Sequence, residues 1–259
     1  MTRKLVLITG ASSGIGAAAA KRYGAAGSHV LLLARNAERL ERVAQEIRAS
    51  GGAASPYAVD LADAGTVAEL AARIITEAGT PDVIVNNAGA GRWLPILATT
   101  PDEARAMMDV PYLAAFFVSR AFLPAMVARG SGRIACITSP AAYLAWADAC
   151  AYIAARHAVK GFAEAMRADL RGTGISVTLI VLGTVETAYW EHNPGSREHL
   201  PPSDPRLIRT LTVEEAAEAI IEGTEAGRRI VVKPGIFRAI FAANALFPGF
   251  VARQLRRKP

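Results

Sequence analysis

Short runs of consecutive apolar residues alternate along the chain with longer segments whose apolar positions recur at helical spacing. Strands that are apolar throughout are typical of a parallel sheet that helices cover on both faces. The pattern predicts strands at residues 5–9, 30–34, 57–60, 83–85, 133–138, 176–181 and 229–232. It predicts helices at residues 17–26, 37–49, 66–77, 101–128, 148–171 and 212–226. We therefore expect an α/β fold with one doubly wound, seven-stranded parallel sheet over residues 1–235, extended by a helical segment at 236–259.

A glycine-rich turn joins the first predicted strand to the first predicted helix. Glycines permit a tight turn and a close approach of the backbone to a pyrophosphate, and the N–H groups at the start of a helix face its negative charge. A strand before the turn and a helix after it are the context in which this motif binds a dinucleotide. The predicted residues of this site are Gly10, Ser12, Ser13, Gly14, Ile15 and Gly16.

The residue after the second strand indicates which dinucleotide is bound. Sites for NAD(H) place an acidic residue there, whereas this chain has Arg35. A guanidinium suits the 2′-phosphate of NADP(H), although a solvated Arg at the start of a helix is an alternative. Asp60, at the end of the third predicted strand, is predicted to accept a hydrogen bond from the adenine amino group, and its neighbour Leu61 is included in the site.

Composition and charge narrow the class of protein. In 259 residues, 52% are hydrophobic and 20% charged, which excludes a mostly disordered chain. The formal net charge is +6, and we expect no nucleic-acid partner, because the only basic cluster is Arg253, Arg256, Arg257 and Lys258.

Cysteine usage and the N-terminus bear on metal sites and location. Cys136 and Cys150 form no CxxC pair, so we expect neither a metal site nor a disulfide framework. The N-terminus lacks the apolar stretch of a signal peptide, which predicts a cytoplasmic location.

Two further motifs follow the fourth and fifth strands. The sequence Asn86-Asn87-Ala88-Gly89 follows the fourth strand, and Ser139 precedes Tyr152 by 152 − 139 = 13 residues. Together with the glycine-rich turn, these motifs make residues 4–232 resemble the short-chain dehydrogenase/reductase family. The resemblance implies a Rossmann-type sheet of order 3-2-1-4-5-6-7. It also implies a homodimer or homotetramer formed through the helices 101–128 and 148–171.

The resemblance also implies roles for individual residues. Tyr152 would act as general acid/base, giving its proton to a substrate carbonyl during hydride transfer, while Ser139 hydrogen-bonds the same oxygen. Val185, through its backbone, and Thr187, through its hydroxyl, would meet the nicotinamide carboxamide. The cofactor contacts implied in this way are Asn87, Ala88, Gly89, Tyr152, Arg156, Gly183, Val185 and Thr187.

Three positions depart from the family pattern. Arg156 stands where the family motif Tyr-x-x-x-Lys has Lys, and a spacing of four keeps it on the helix face of Tyr152. Arg156 keeps the positive charge but cannot release a proton as Lys does. Pro111 replaces the usual Asn of the long helix and predicts a kink there. Leu182-Gly183 replaces the usual Pro-Gly. Cofactor binding is thus expected to be intact and proton delivery altered.

Two segments bear on the substrate and on partners. The irregular stretch 191–205 is predicted to be a lid rather than an ordinary surface loop. The expected site is flanked by apolar side chains that suit a lipophilic carbonyl or alcohol, such as a 3-oxoacyl thioester, a steroid-like ketone or an aromatic ketone. These side chains are Trp93, Leu94, Tyr143, Leu144, Trp146, Tyr189 and Trp190. The apolar, basic segment 236–259 is expected either to pack on a partner subunit or cap the pocket, or to contact a membrane interface peripherally.

Two functions are consistent with these patterns. The first is an NADP(H)-dependent oxidoreductase that acts on CH–OH groups. The second, which the Arg156 and Pro111 departures motivate, is an NADP(H)-binding sensor or partner subunit with little or no turnover.

Overall fold

A computed structural model of the chain describes residues 3–89 and 91–256. All strand pairings in its sheet are parallel, and the order is β3-β2-β1-β4-β5-β6-β7. The predicted doubly wound fold and its strand order are therefore confirmed. The strands are β1 Leu5–Thr9, β2 His29–Ala34, β3 Ala53–Ala58, β4 Val83–Asn86, β5 Gly132–Thr138, β6 Ile175–Leu182 and β7 Ile230–Lys233.

Helices cover both faces of the sheet. Alternate residues of each strand point to opposite faces, so Leu7 joins the core on one side and Val6 and Ile8 join the core on the other. The helices are α1 Gly14–Ala25, α2 Ala37–Ala49, α3 Ala64–Glu77, α4 Pro101–Met108, α5 Ala114–Arg129, α6 Cys150–Asp169, α7 Tyr189–His192, α8 Val213–Glu225, α9 Phe237–Leu246 and α10 Pro248–Gln254.

The third strand lies earlier in the chain than predicted. It spans Ala53–Ala58 rather than 57–60, and it pairs with β2 from His29↔Ala53 to Ala34↔Ala58. Its sequence has little strand propensity, and it contains Pro56. Because β3 is an edge strand, a proline is tolerated there, and pairing with β2 rather than local preference forms the strand.

The predicted helix 101–128 is interrupted at its first third. A π-helical turn, Asp109–Leu113, separates α4 from α5, and Val110 within it has the extended angles φ −133° and ψ 107°. The ring of Pro111 disfavours helical angles for the residue before it, which explains the predicted kink. By length and composition alone Pro101–Arg129 could cross a membrane, but Phe122 and Met126 in α5 are fully buried against the sheet, as in the core helix of a globular domain.

The segment after β7 folds as two helices, α9 and α10. Between them Phe247, with φ −133° and ψ 60°, leaves the helical region before Pro248. Of the predicted basic cluster, Arg257 and Lys258 lie outside the described residues, and so does residue 259.

Candidate active site

A cavity of about 1190 Å³ opens at the carboxyl ends of β1, β2, β4, β5 and β6. Open α/β sheets bind ligands at this edge, where the strand order reverses. The structure brings every predicted site residue except Gly16 to its wall. Those residues are Gly10, Ser12, Ser13, Gly14, Ile15, Arg35, Asp60, Leu61, Asn87, Ala88, Gly89, Ser139, Tyr152, Arg156, Gly183, Val185 and Thr187.

The glycine-rich turn is shaped by close backbone contacts. Gly10 has φ +65°, and a Cβ there would lie 2.9 Å from the Cα of Ala88. Gly16 does not line the cavity, but a Cβ on it would collide with the carbonyl oxygen of Gly10 and lie 2.6 Å from the Asn87 amide nitrogen. Gly16 therefore supports the turn from behind, and its predicted contact with the cofactor stays a prediction.

The start of α1 is open to an anion. Its N-cap residue, Ser13, is extended, its side chain makes no capping hydrogen bond, and the first turn contains no acidic residue. The N–H groups at a helix start carry a partial positive charge that stabilises a nearby anion. Ser12, Ser13 and Gly14 line the cavity at this point, so a diphosphate fits here.

Thr9 holds the two halves of this turn together, a role that the sequence did not reveal. Its Oγ1 accepts hydrogen bonds from the N–H groups of Asn87 and Ala88, both at 2.9 Å. The Asn87 side-chain amide in turn donates a hydrogen bond of 3.0 Å to the Thr9 carbonyl oxygen. The end of β4 is thereby fixed against the turn that follows β1.

Two arginines flank the outer end of the cavity. Arg35 is exposed and follows β2 directly, and Arg39, in the first turn of α2, lines the same wall. The Asn36 side chain caps α2 by accepting the N–H of Arg39 at 2.8 Å. Arg35 was predicted from the sequence, whereas Arg39, four residues later in the chain, was not.

Asp60 lies at the same outer end, in an exposed position. One of its carboxylate oxygens accepts the N–H of Ala62 at 3.1 Å, which fixes the turn after β3. Its predicted contact with an adenine amino group stays a prediction.

Tyr152 and Ser139 meet at the inner wall of the cavity. The Tyr152 hydroxyl donates to Ser139 Oγ at 3.1 Å, and the N–H of Ala141 also donates to Ser139 Oγ, at 3.2 Å. A serine hydroxyl accepts two hydrogen bonds and donates one. With both acceptor positions used, the Ser139 proton is free to be donated to a ligand oxygen in the cavity.

Arg156 lies beside Tyr152 with a buried guanidinium. Its central carbon is 4.8 Å from the centroid of the Tyr152 ring, and the residue is 8% exposed. Thr138 Oγ1 donates to the Arg156 carbonyl oxygen at 3.2 Å and ties this turn of α6 to β5. A Cβ on Gly89 would lie 3.1 Å from Arg156 Nη2, so the guanidinium reaches the wall formed after β4.

Arg156 has an unmet hydrogen-bond donor. Its buried Nε has no hydrogen-bond partner among the described residues, and none of their carboxylates pairs with it. A buried, unpaired cation is costly. The arrangement therefore fits a ligand that brings acceptor oxygens to this position.

Aromatic rings surround the wall that Tyr152 and Ser139 form. Trp93 packs on Tyr152 at 4.8 Å between ring centroids, on Trp146 at 5.4 Å and on Trp190 at 5.9 Å. Two predicted lining residues do not line the cavity. Tyr143 instead stacks on Phe241 at 4.2 Å outside it, and Leu94 begins the loop that leads away to a short 3-10 turn, Ile96–Ala98.

The segment from Tyr189 onward is fastened to the loop after β4. The Tyr189 hydroxyl accepts a bond from Trp93 Nε1 at 3.1 Å and donates to the Gly91 carbonyl oxygen at 2.9 Å. Asn193 Oδ1 accepts the Gly91 N–H at 3.1 Å, and Ser196 Oγ accepts the Trp93 N–H at 3.0 Å. Burial raises the pKa of Tyr189 well above its ordinary value, so it remains a neutral donor. The segment closes over the cavity with Leu200, Pro201, Pro202, Ser203 and Ile208.

The described part of the chain contains no cluster of side chains that could bind a metal ion. Within it, no group of three or more His, Cys, Asp or Glu side chains converges. The polar side chains that line the cavity are hydroxyls, amides, arginines and the carboxylates of Asp60 and Asp109.

The comparisons with known proteins identify the family. The family model for short chain dehydrogenases matches residues 4–197, and the chain belongs to this family. Dehydrogenase/reductase SDR family member 7B of Bos taurus is 36% identical over 189 residues, which cover 71% of this chain and 58% of the relative. The match thus spans less than two thirds of that relative's length.

A further relative and a solved structure are also similar to this chain. The 1-deoxy-11-beta-hydroxypentalenate dehydrogenase of Streptomyces avermitilis is 32% identical over 217 residues, covering 83% of this chain and 78% of the relative. The crystal structure of a metagenomic short-chain oxidoreductase in complex with NADP has a TM-score of 0.74 and 31% identity, covering 88% of this chain and 96% of that one.

Proposed function

We propose that this chain is an NADP(H)-dependent oxidoreductase that transfers hydride between the nicotinamide and a lipophilic ketone or secondary alcohol. The observation that carries the proposal is the meeting of the Tyr152 hydroxyl, the Ser139 hydroxyl and the buried Arg156 guanidinium at one aromatic-lined wall. The NADP complex of the similar metagenomic oxidoreductase supports the choice of cofactor.

Three features of the chain's own residues fit the cofactor. The N–H groups at the start of α1 would bind the diphosphate, and Arg35 and Arg39 would bind the 2′-phosphate. The unpaired Nε of Arg156 would donate a hydrogen bond to an acceptor such as a ribose hydroxyl. NADP(H), when bound, supplies or accepts the hydride. Gly183, Val185 and Thr187 form the wall assigned to the carboxamide.

The two hydroxyls at the inner wall handle the proton. In the reduction direction, Ser139 donates its free hydrogen to the substrate carbonyl oxygen, which gains negative charge as the hydride arrives. The Tyr152 hydroxyl, which lies 3.1 Å from Ser139 Oγ, gives its proton to the substrate oxygen. The oxidation direction reverses these steps, with Tyr152 accepting the proton of the alcohol.

Arg156 contributes charge rather than a proton. Its guanidinium lies beside the ring that becomes negative when Tyr152 gives up its proton, and this favours the transfer. An arginine remains protonated at neutral pH, so the proton that restores Tyr152 does not come from Arg156. We infer that it passes from water through Ser139, the hydrogen-bond partner of Tyr152.

The cavity favours a lipophilic substrate. Around Tyr152 its walls are formed by the indoles of Trp93, Trp146 and Trp190 together with Leu144 and Leu200. Apolar and aromatic walls with few polar groups are typical of sites for apolar ligands. The similar pentalenate dehydrogenase, named for a hydroxylated carboxylic acid, is consistent with a secondary alcohol as the reacting group.

The enzyme assay tests the proposal. The purified chain is mixed with NADPH and a panel of 3-oxoacyl, steroid-like and aromatic ketones, and nicotinamide absorbance is followed. We expect NADPH oxidation with at least one of these and slower oxidation with polyhydroxylated ketones of similar size. If the nicotinamide absorbance does not fall with any ketone, in a preparation that binds NADPH, the proposal is contradicted.

The second candidate function is cofactor binding without turnover, which the replacement of Lys by Arg156 favours. We expect both the wild type and Arg156→Lys to oxidise NADPH, because each keeps a cation beside Tyr152. Arg156→Met removes that charge and is expected to lower kcat/KM at least tenfold. Turnover by Arg156→Lys alone, at equal NADPH affinity, identifies the natural chain as a binding protein instead.

Arg35→Asp is expected to reverse the cofactor preference. Loss of a charge-assisted contact to the 2′-phosphate, at about 1.5–3 kcal/mol, corresponds to roughly a 10- to 100-fold higher Kd for NADPH. An aspartate also suits the free 2′-hydroxyl of NADH, whose affinity should hold or improve.

Calorimetric titration of both cofactors measures the effect of Arg35→Asp. The matched control is Arg42→Asp, an exposed residue of α2 that does not line the cavity. Equal affinities of the wild type for NADPH and NADH contradict the assigned role of Arg35.

A further inference from the structure

The two C-terminal helices form a hairpin that is anchored along one side. Phe237 of α9 and Val251 of α10 are buried. Phe241 stacks on Tyr143, and Asn244 Nδ2 donates to the Tyr143 carbonyl oxygen at 3.0 Å. These contacts hold the hairpin in a fixed position on the body of the domain.

The bend of the hairpin exposes three large apolar side chains. Leu246 is 73% exposed, Phe247 64% and Phe250 63%, and every residue from 245 to 250 is exposed. We name these three residues the apolar tip. Several large apolar side chains exposed together at one bend of a folded domain are typical of an interaction surface.

The charged residues of the C-terminal segment have one sign. No Asp or Glu follows Glu225 in the sequence. Arg253 and Arg256, in and just after α10, are exposed beside the tip. The basic residues after Glu225 are Arg228, Arg229, Lys233, Arg238, Arg253, Arg256, Arg257 and Lys258.

We propose that the apolar tip docks on an anionic lipid bilayer. Apolar side chains enter the boundary between headgroups and acyl chains while basic side chains bind anionic headgroups, and the tip with Arg253 and Arg256 combines both. A second copy of the chain is a poorer occupant, because a twofold contact through this patch would bring two sets of these arginines together.

The docked hairpin also borders the cavity. Phe237 of α9 and Leu255, just after α10, both line it. If the chain acts on lipophilic compounds, a point that rests on the proposed function, docking brings the cavity wall close to the phase in which those compounds dissolve.

Vesicle co-sedimentation of the full chain tests the proposal. We expect the wild type to sediment with phosphatidylcholine vesicles that contain phosphatidylserine and to remain in solution with phosphatidylcholine alone. The triple variant Leu246→Ser, Phe247→Ser, Phe250→Ser is expected to bind at least tenfold more weakly, and so is the double variant Arg253→Glu, Arg256→Glu. Neither set lines the cavity, so NADPH affinity and circular dichroism should stay unchanged.

The matched control is Arg42→Glu, Arg171→Glu, which changes the net charge by the same amount on exposed positions of the domain body. It should retain vesicle binding. Absence of wild-type sedimentation, equal binding to neutral vesicles, or equal weakening by the control overturns the proposal. If the wild type does not bind vesicles and the triple variant shifts from dimer to monomer in size-exclusion chromatography, the apolar tip is the contact surface for a second copy. Sedimentation requires no turnover, so it can fail or succeed independently of the enzyme assay.

Discussion

Tyr152→Phe is expected to lower kcat/KM by about 10³-fold with a ketone that the wild type reduces. The variant removes the hydroxyl that donates to Ser139 Oγ at 3.1 Å and, with it, the proton given to the substrate oxygen. General acid catalysis contributes roughly 10²–10⁴-fold to a rate, and the expected loss lies within that range. The measurement is steady-state oxidation of NADPH, followed by absorbance.

The same substitution should leave cofactor binding nearly unchanged. The phenyl ring keeps its packing on Trp93 and its place beneath the Arg156 guanidinium. The matched control is Tyr112→Phe, because Tyr112 packs on Phe162 and does not line the cavity. Full activity of the Tyr152 variant, or an equal loss in the Tyr112 variant, contradicts the role assigned to Tyr152.

Trp93 links the wall that carries Tyr152 to the segment from Tyr189 onward. Its indole packs on Tyr152, while its ring and backbone N–H groups bond to Tyr189 and Ser196. These bonds from the segment hold in place the ring against which Tyr152 packs. This explains why an apparently irregular stretch of sequence bears on the geometry around Tyr152.

The sequence predicted those parts of the molecule that depend on short-range patterns. The buried strands are apolar runs, and the glycines after β1 are required by contacts within one turn, so both leave local signals. The kink at Pro111 is likewise local, because the proline ring restricts Val110 directly. Predicting these features required no knowledge of the tertiary contacts between distant residues.

The features that escaped prediction depend on contacts between distant residues. The bonds from Gly91 and Trp93 to Asn193 and Ser196 join positions about a hundred residues apart and leave no periodic pattern. The third strand was misplaced for the same reason, since its pairing with β2 outweighs its weak propensity. The stacking of Arg156 on the ring of Tyr152 follows from the helix, but the unmet Nε donor depends on the surrounding packing.

Gly16→Ala is expected to destabilise the fold and weaken cofactor binding together. A Cβ at this position collides with the carbonyl oxygen of Gly10, so the backbone of the turn must shift. Adding a methyl group to a tightly packed site costs roughly 1–3 kcal/mol. The shift also moves the N–H groups at the start of α1, and we expect the Kd for NADPH to rise at least tenfold. Chemical denaturation and calorimetric titration measure the two effects.

Gly161→Ala provides the matched control with the opposite sign. Gly161 lies within α6, and a Cβ there meets no atom within 4 Å among the described residues. Alanine in a helix interior is favoured over glycine by about 0.5–1 kcal/mol, so this variant should be more stable than the wild type and bind NADPH equally well. If both alanine variants raise stability, the close contact between α1 and the turn after β1 does not exist in solution, and the cradle assigned to the diphosphate is wrong.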